Sequence, residues 1–350
     1  MFLHSFTPPQ GPHARVGGEL KEDSVLVLVG GWPGEEASSY SPASTLPCSL
    51  DLPALPRPNM WDSLVDLVDG MVVACSMDYD LYIADRRTKD FQCWGLQLAR
   101  SPLAWAALPP PPHLLFLSTS TVWGGRLAVV GGSQAHHQDL DQLNGTTHVQ
   151  LYDPASDTWS AGPALPAPLF EGCAVADSDQ GLLVLGHFET EHGMTNFYRV
   201  EGVGGRWRAL ARSRHYHTRP GCTVATYRGE EGLVAVSGRH AEFYSFPRGV
   251  WADLPPLQVR RAAGTRVSVG VSQGQVVVAG GWDMGLQEKA KAVEALQGAA
   301  WVVVEPPLVP GRTHQGEVQL PGNLCTNTAT DTNTKTATNT TTNTAKMSTW

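Results

Sequence analysis

A short apolar run that ends in glycine or another small residue recurs six times along the chain. Successive copies lie 42 to 57 residues apart, with a mean spacing near 50. A period of this length is typical of solenoids, propellers and other repeat arrays. The six runs are Val25–Gly31, Met71–Cys75, Arg126–Gly132, Leu182–Gly186, Leu233–Gly238 and Gln275–Gly281.

Tryptophan provides a second marker that stays in phase with the first. In four of the repeats, the glycine that ends the next apolar run follows the tryptophan after 26 to 31 residues. In the first repeat, Cys48 stands where a tryptophan is expected. Two markers with a nearly constant offset indicate one repeated structural unit. The tryptophans are Trp105, Trp159, Trp207, Trp251 and Trp301.

Each unit has room for four short strands. A strand with an aromatic residue, such as Leu151–Asp153, lies between the glycine and the tryptophan, and a proline-rich turn such as Gly162–Pro166 follows the tryptophan. With 36 Gly and 26 Pro, the chain has too many helix breakers for a mainly helical protein. Closely spaced turn signals between short strands favour an all-β propeller with six blades.

The order of these markers resembles the kelch repeat. Tyr152, the first residue of Tyr152-Asp153-Pro154, lies seven residues before Trp159. Tyr244 lies at the same distance before Trp251. The resemblance implies a six-bladed kelch-type β-propeller with four antiparallel strands per blade. It also implies closure by pairing of terminal strands, with Thr313–Leu320 completing the blade begun by Val25–Gly30.

The repeats set the expected domain boundaries. Residues 1–20 form an N-terminal extension, 21–320 form the propeller, and the Thr/Asn-rich segment 321–350 is a disordered tail of low complexity. The segment Leu286–Leu296 is rich in helix-forming residues. Because the repeat period places the third strand of the last blade there, we expect Ala292–Leu296 to be a strand.

The net charge of −8 and the pI near 5.8 argue against a nucleic-acid or membrane partner. The six scattered cysteines predict reduced core residues, with no disulfide framework. The N-terminal residues do not resemble a secretion signal, so we expect a cytoplasmic protein. Short His/Asp/Glu groupings do not give the convergent ligands of a metal site, and neither cofactor-binding nor catalytic motifs are found. No metal, cofactor or catalytic residue is therefore predicted.

The resemblance implies that ligands bind at the loops around the mouth of the central channel. In kelch proteins that bind acidic peptides, arginines just beyond the tryptophan strand face this mouth. By position, the partner-binding candidates are Arg57, Arg219, Arg260, Arg261, Arg312 and His314. The alternative is that these arginines support the loops by hydrogen bonding to backbone carbonyls.

The expected function is that of a non-catalytic, monomeric scaffold that binds another protein, with an acidic peptide segment as the partner. Many kelch-like proteins are substrate adaptors of ubiquitin ligase complexes, which would make this chain a substrate-recognition subunit that uses a separate adaptor or is part of a longer protein. The alternatives are a kelch-type propeller enzyme, either a copper oxidase with a Tyr–Cys pair or a sugar-modifying enzyme, and an actin-binding protein. Fold resemblance alone does not decide among them.

Overall fold

A computed structural model describes most of the repeat region of the 350-residue chain. The described residues are 24–29, 38–40, 53, 55–56, 60–78, 91–113, 115–133, 145–179, 181–188, 195–272, 274–304 and 316–321. The predicted extension 1–20 and all of the predicted tail except Pro321 lie outside these ranges. Within them, no helix has the length and hydropathy needed to cross a membrane.

The described residues form 25 β-strands. They are β1 Ser24–Val29, β2 Ser38–Tyr40, β3 Met60–Val68, β4 Met71–Asp78, β5 Phe91–Gln97, β6 Trp105–Leu108, β7 Thr119–Trp123, β8 Arg126–Val130, β9 Val149–Asp153, β10 Thr158–Ala161, β11 Leu169–Ala176, β12 Gly181–Phe188, β13 Asn196–Glu201, β14 Arg208–Ala209, β15 Gly221–Tyr227, β16 Glu230–Ser237, β17 His240–Ser245, β18 Val250–Asp253, β19 Ser268–Ser272, β20 Gln275–Ala279, β21 Trp282–Asp283, β22 Glu288–Lys289, β23 Val293–Gln297, β24 Ala300–Val304 and β25 Gly316–Pro321.

The strands form an all-β propeller of four-stranded antiparallel sheets, as predicted. Within the described residues there are five such sheets, where six were expected. In order along the chain they are named blade A (β3–β6), blade B (β7–β10), blade C (β11–β14), blade D (β15–β18) and blade E (β19, β20, β23 and β24). First strands of neighbouring blades contact one another, so these strands lie nearest the propeller axis.

A separate three-stranded sheet joins the two ends of the repeat region. Its strand order is β2-β1-β25, and β1 is antiparallel to β25 with Val25 opposite Leu320. The predicted pairing between these two segments is therefore present. In blade E, β23 spans Val293–Gln297, so the strand expected at Ala292–Leu296 is confirmed against its local helix propensity.

The tryptophan markers tie each blade to the segment that precedes it. In every case the indole Nε1 donates a hydrogen bond to a backbone carbonyl 40 to 52 residues earlier. Each marker tryptophan therefore reaches the chain segment that comes before its own blade. The five bonds join Trp105 to Pro53 at 2.8 Å, Trp159 to Pro109 at 2.8 Å, Trp207 to Pro163 at 3.2 Å, Trp251 to Ala211 at 2.7 Å and Trp301 to Pro255 at 2.8 Å.

Apolar clusters fill the interfaces between successive blades from A to E. Between blades C and D, the ring of Phe197 contacts the rings of Tyr244 and Trp251 at centroid distances of 5.0 and 5.5 Å. Tyr244 and Trp251 are also directly paired across β17 and β18. The seven-residue spacing in the sequence thus places an aromatic pair on one face of each outer hairpin that carries it.

The double glycines mark places where the chain passes very close to a neighbouring backbone. Gly132 has a φ of +94°, and a Cβ atom there would lie 2.7 Å from the carbonyl oxygen of Phe116. Only glycine accepts both the dihedral angle and the contact. The glycine at position 132 is therefore a structural requirement of blade B.

Two disulfides among the described residues correct the expectation of reduced cysteines. Cys75 and Cys93 are directly paired across β4 and β5 in blade A, and Cys173 is bonded to Cys222 between β11 of blade C and β15 of blade D. The spacing of cysteines along the sequence is uninformative here because the propeller brings together residues one whole repeat apart. The second bond joins the first strands of two neighbouring blades.

The disulfides predict the outcome of a cysteine-alkylation experiment. Alkylation of the unfolded, unreduced chain leaves Cys75, Cys93, Cys173 and Cys222 unmodified, and all four react after treatment with a reductant. Peptide mass spectrometry with two isotopic forms of one alkylating reagent measures this directly. Modification of Cys173 or Cys222 before reduction would contradict the bond between blades C and D.

Candidate functional site

The segments that lead into the first strands converge around a small open cavity with a water-accessible volume of about 10 Å³. Its lining comes from four successive blades, B to E, at the ends of the strands nearest the axis. This end of the propeller is called the mouth below, and its lining residues are Leu117, Ser118, Glu171, Gly172, Arg219, Pro220 and Arg266.

Three lining residues have a left-handed backbone. The φ angles of Leu117, Glu171 and Arg219 are +54°, +59° and +47°, and none of these residues is glycine. A β-bulge between Phe170 and Gly172 takes Glu171 out of the ladder, and its N–H donates to the carbonyl of Leu117 at 3.1 Å. Left-handed conformations cost a non-glycine residue roughly 1–2 kcal/mol, and such residues cluster at binding sites. The mouth therefore has the backbone features of a functional surface.

An ion pair crosses the mouth between blades C and D. Nε of Arg219 lies 2.8 Å from Oε1 of Glu171, and the two side chains are only 15% and 18% exposed. The guanidinium of Arg219 makes no other hydrogen bond to the described residues. Its Nη groups can therefore donate to a further carboxylate, and Arg266 adds a second cation to the lining.

The disulfide Cys173–Cys222 lies directly beneath this ion pair. Cys173 follows Glu171 by two residues on β11, and Cys222 follows Arg219 by three residues on β15. The covalent bond fixes the two first strands relative to one another. It thereby fixes the carboxylate and the guanidinium that meet above it.

A buried polar residue on the third strand anchors the linker that enters each of three blades. In blade B, Oε1 of Gln150 accepts from the N–H of His113 at 2.8 Å, and its Nε2 donates to the carbonyl of the same residue at 3.0 Å. In blade E, Glu294 accepts from the N–H groups of Gln258 at 2.6 Å and Val259 at 3.3 Å. These bonds position the linkers that lead to the mouth.

Glu242 has the same role in blade D. Its fully buried carboxylate accepts from the N–H groups of Arg214 at 2.9 Å and His215 at 3.1 Å, and from Nε2 of His217 at 2.7 Å. Burial raises the pKa of Glu242, but the hydrogen bonds from His217 and the two backbone N–H groups lower the pKa by more than burial raises it. The net pKa therefore lies below the usual value. The group is a carboxylate at neutral pH.

His215, Glu242 and Asp253 offer ligand atoms that lie within 4.8 Å of one another, as a metal site would require. The protein already satisfies these atoms. Nε2 of His215 lies 2.9 Å from Asp253, which also pairs with Arg214 at 3.3 Å, and Glu242 holds three donors. The cluster supports the linker, and the hydrogen bonds and ion pairs within it explain why the two carboxylates lie close together.

Among the predicted arginines in the described ranges, the structure places one at the mouth. Arg219 lines the cavity, and Arg260 is an exposed residue whose carbonyl accepts from the N–H of Met284 at 2.8 Å. Arg57, Arg312 and His314 lie outside the described residues.

The assignment of Arg261 to the partner-binding surface is wrong. Its guanidinium is fully buried, pairs with Glu294, and donates to the carbonyls of Gly280 at 2.9 Å and Ala292 at 3.0 Å. At this residue the alternative interpretation, loop support through backbone carbonyls, is correct. The linker turns over the blade at Arg261. The side chain of Arg261 points into the protein, where it pairs with the buried carboxylate of Glu294.

Sequence reasoning missed Arg266, Glu171 and the buried anchors. Arg266 precedes β19 by two residues, as Arg219 precedes β15, so a count backwards from the first strand would have found both. The anchors Gln150 and Glu242 each lie nine residues before the tryptophan of their repeat. A polar residue at a fixed offset within an apolar strand was the available signal.

The described cysteines do not supply the Tyr–Cys pair of a copper oxidase. All four are in disulfides. The structure therefore does not assemble that catalytic group from Cys75, Cys93, Cys173 or Cys222.

Comparison with known proteins supports the fold and goes no further. No protein-family model matches the sequence, and no curated protein matches it. Among solved structures, 384 chains match in fold. One of them, described as "Structure of YjhT", aligns with a TM-score of 0.56 at 14% identity and covers 75% of this chain and 88% of its own. At this identity the likeness concerns the fold alone, and it shows that the chain has the architecture of a β-propeller.

Proposed function

We propose that the chain is a non-catalytic protein-interaction propeller of the kelch type whose mouth binds an acidic segment of a partner protein. The observation that carries this proposal is the pair of arginines, Arg219 and Arg266, at a cavity on a protein with a net charge of −8. With Glu171 counted, the lining keeps a net positive charge on an acidic protein, and such a site directs acidic partners to one place.

The same proposal includes a sixth blade and a closed ring. Three facts support it: β1 pairs with β25, β25 contacts the first strands of blades A and E, and Trp105 donates to Pro53. In blades B to E the corresponding tryptophan bond reaches the linker that follows the previous blade. Trp105 would then mark a blade before blade A, made from β1, β2, β25 and one further strand.

The cavity is too small to enclose a small molecule, which favours a contact with one side chain at its opening. Small-molecule sites usually enclose about 300–1,000 Å³, whereas the water-accessible volume of this cavity is about 10 Å³. We expect a carboxylate of the partner to lie at the opening between Arg219 and Arg266, because planar two-point donation by a guanidinium suits such a group. The ion pair with Glu171 holds Arg219 in place before the partner arrives.

Membership of a ubiquitin ligase complex and a cytoplasmic location remain proposals without support from the site. The two disulfides weigh against a reducing compartment, since such bonds persist mainly in oxidising ones. No described contact specifically favours the enzymatic or actin-binding alternatives.

Peptides selected from a random dodecapeptide display library test the proposal. We expect the wild type to select peptides rich in Asp and Glu, and we expect Arg219→Gln combined with Arg266→Gln to bind them at least about tenfold more weakly, which corresponds to about 1.4 kcal/mol. Glutamine keeps a donor for Glu171, so the double variant is expected to fold, and its thermal unfolding is measured beside its binding.

Arg228→Gln is the matched control because Arg228 is exposed in the turn between β15 and β16, at the opposite end of the blade. It should bind the selected peptides as the wild type does. Selection without acidic enrichment, or equal binding by the folded double variant, would refute the proposed site.

A further inference from the structure

A two-stranded ribbon extends from blade E at the same end as the mouth. β21 and β22 lie between β20 and β23 in the chain and pair with each other, with Trp282 opposite Lys289. β20 ends at Ala279, which is opposite Ser268 at the start of β19. Because Arg266 leads directly into β19, the ribbon leaves the blade beside the mouth.

Backbone hydrogen bonds hold the ribbon against the linker that enters blade E. The N–H of Ala262 donates to the carbonyl of Trp282 at 2.8 Å, and the N–H of Met284 donates to Arg260 at 2.8 Å. The N–H of Trp282 also donates to Oγ1 of Thr265 at 3.3 Å. Thr265 is the residue before Arg266, so the ribbon is joined to the cavity lining through one peptide unit.

The side chain of Asp283 orders the turn of the ribbon. Oδ1 of Asp283 accepts from the N–H groups of Gly285 at 2.7 Å and Leu286 at 3.2 Å, which forms an Asx-type turn. The amide of Gln287 donates to the carbonyl of Met284 at 2.8 Å. The turn therefore presents its outward side chains from a fixed backbone.

Those outward side chains are apolar. Leu286 is 70% exposed, more than any other large hydrophobic residue in the described part of the chain, and Met284 is 40% exposed. A single exposed leucine on a surface is ordinary. Two exposed apolar side chains on one ordered turn, anchored beside a cationic cavity, have the composition of an interface: an apolar contact next to a charged one.

We propose that the turn Asp283–Gln287 is a second contact of the partner that binds the mouth. The partner segment then carries a large apolar residue a few positions from its acidic one. The apolar residue packs on Leu286 and Met284 while the carboxylate lies between Arg219 and Arg266. The exposed cation of Arg260, bonded to the turn through its carbonyl, adds charge complementarity to an acidic segment. This inference rests on the proposed function and names the partner's chemistry.

Display selection also tests this inference, through sequence composition and through two variants. Peptides selected by the wild type should combine Asp or Glu with Leu, Ile, Met, Phe or Trp, and a peptide of this type should bind Leu286→Ser about tenfold more weakly and the double variant with Met284→Ser more weakly still. Both side chains are exposed, so the variants are expected to fold and unfold as the wild type does.

Val203→Ser is the matched control. Val203 is 45% exposed, but it follows β13 at the end of blade C away from the mouth, and its variant should bind as the wild type does. Binding could be unchanged in Leu286→Ser and Met284→Ser but lost in the double variant Arg219→Gln, Arg266→Gln. That result would show that the turn makes no contact with the partner and that the mouth alone binds it. If neither set changes binding, both the inference and the proposed function fail.

Discussion

Replacing Glu294 with glutamine lowers the free energy of unfolding by about 3–5 kcal/mol, the cost of removing one partner from a buried ion pair. Arg261 and Glu294 are both fully buried and paired with each other. Glutamine keeps an oxygen for the N–H groups of Gln258 and Val259, so the loss comes from the uncompensated charge of Arg261. Because domains are stable by only about 5–15 kcal/mol, the effect is a large fraction of the total.

Urea denaturation with the double variant Arg261→Met, Glu294→Gln separates the charge from the packing. Since the unpaired cation is gone, this variant should recover part of the loss. The recovery is incomplete because the carbonyls of Gly280 and Ala292 lose their donor. Glu288→Gln removes one partner of the exposed pair with Lys291 and should change stability by less than about 1 kcal/mol. Wild-type stability of Glu294→Gln would show that Arg261 is not buried beneath the linker.

Trp301→Ala is expected to destabilise the protein by about 3–5 kcal/mol, the usual range for deletion of a large buried aromatic side chain. Trp301 is 1% exposed, lies in the cluster between blades D and E, and donates to Pro255 at 2.8 Å. Thermal and urea unfolding measure the loss. The substitution removes the apolar contacts and the hydrogen bond between blades together.

Two further tryptophan variants provide the comparison. Trp301→Phe keeps most of the apolar contact and should lose less than the alanine variant, with about 1 kcal/mol from the missing hydrogen bond. Trp207→Ala should also cost less because Trp207 is only partly buried. Equal losses at positions 207 and 301 would contradict the link between burial of the marker and stability of its blade.

The propeller architecture was predictable because its physical requirements repeat. Blades B, D and E each have a glycine with positive φ after the second strand, and five repeats place a tryptophan where its Nε1 can reach the previous linker. The same period correctly overruled the helix propensity of the segment that contains Val293–Gln297. A periodic signal determines strands well since each repeat independently supports the others.

For the candidate site at the mouth, the sequence predicted the location but not which side chains face solvent there. Whether a basic side chain faces solvent depends on what lies under its linker: Arg261 turns inward to Glu294, 33 residues on, whereas Arg219 turns to Glu171 at the mouth. The disulfide Cys173–Cys222 occurs at one boundary between blades, and the ribbon β21–β22 occurs in one blade; neither recurs at the repeat period among the described residues. Features that occur once carry no repeat signal, and their partners are distant in sequence.

Hydrogen–deuterium exchange with a bound, selected peptide tests the central claim, that the mouth end of the propeller binds an acidic segment. The account predicts added protection confined to residues 117–118, 171–172, 219–220 and 266–267, together with the turn 284–287. Protection at the opposite turns, 124–125 and 228–229, with none at the mouth, would contradict it.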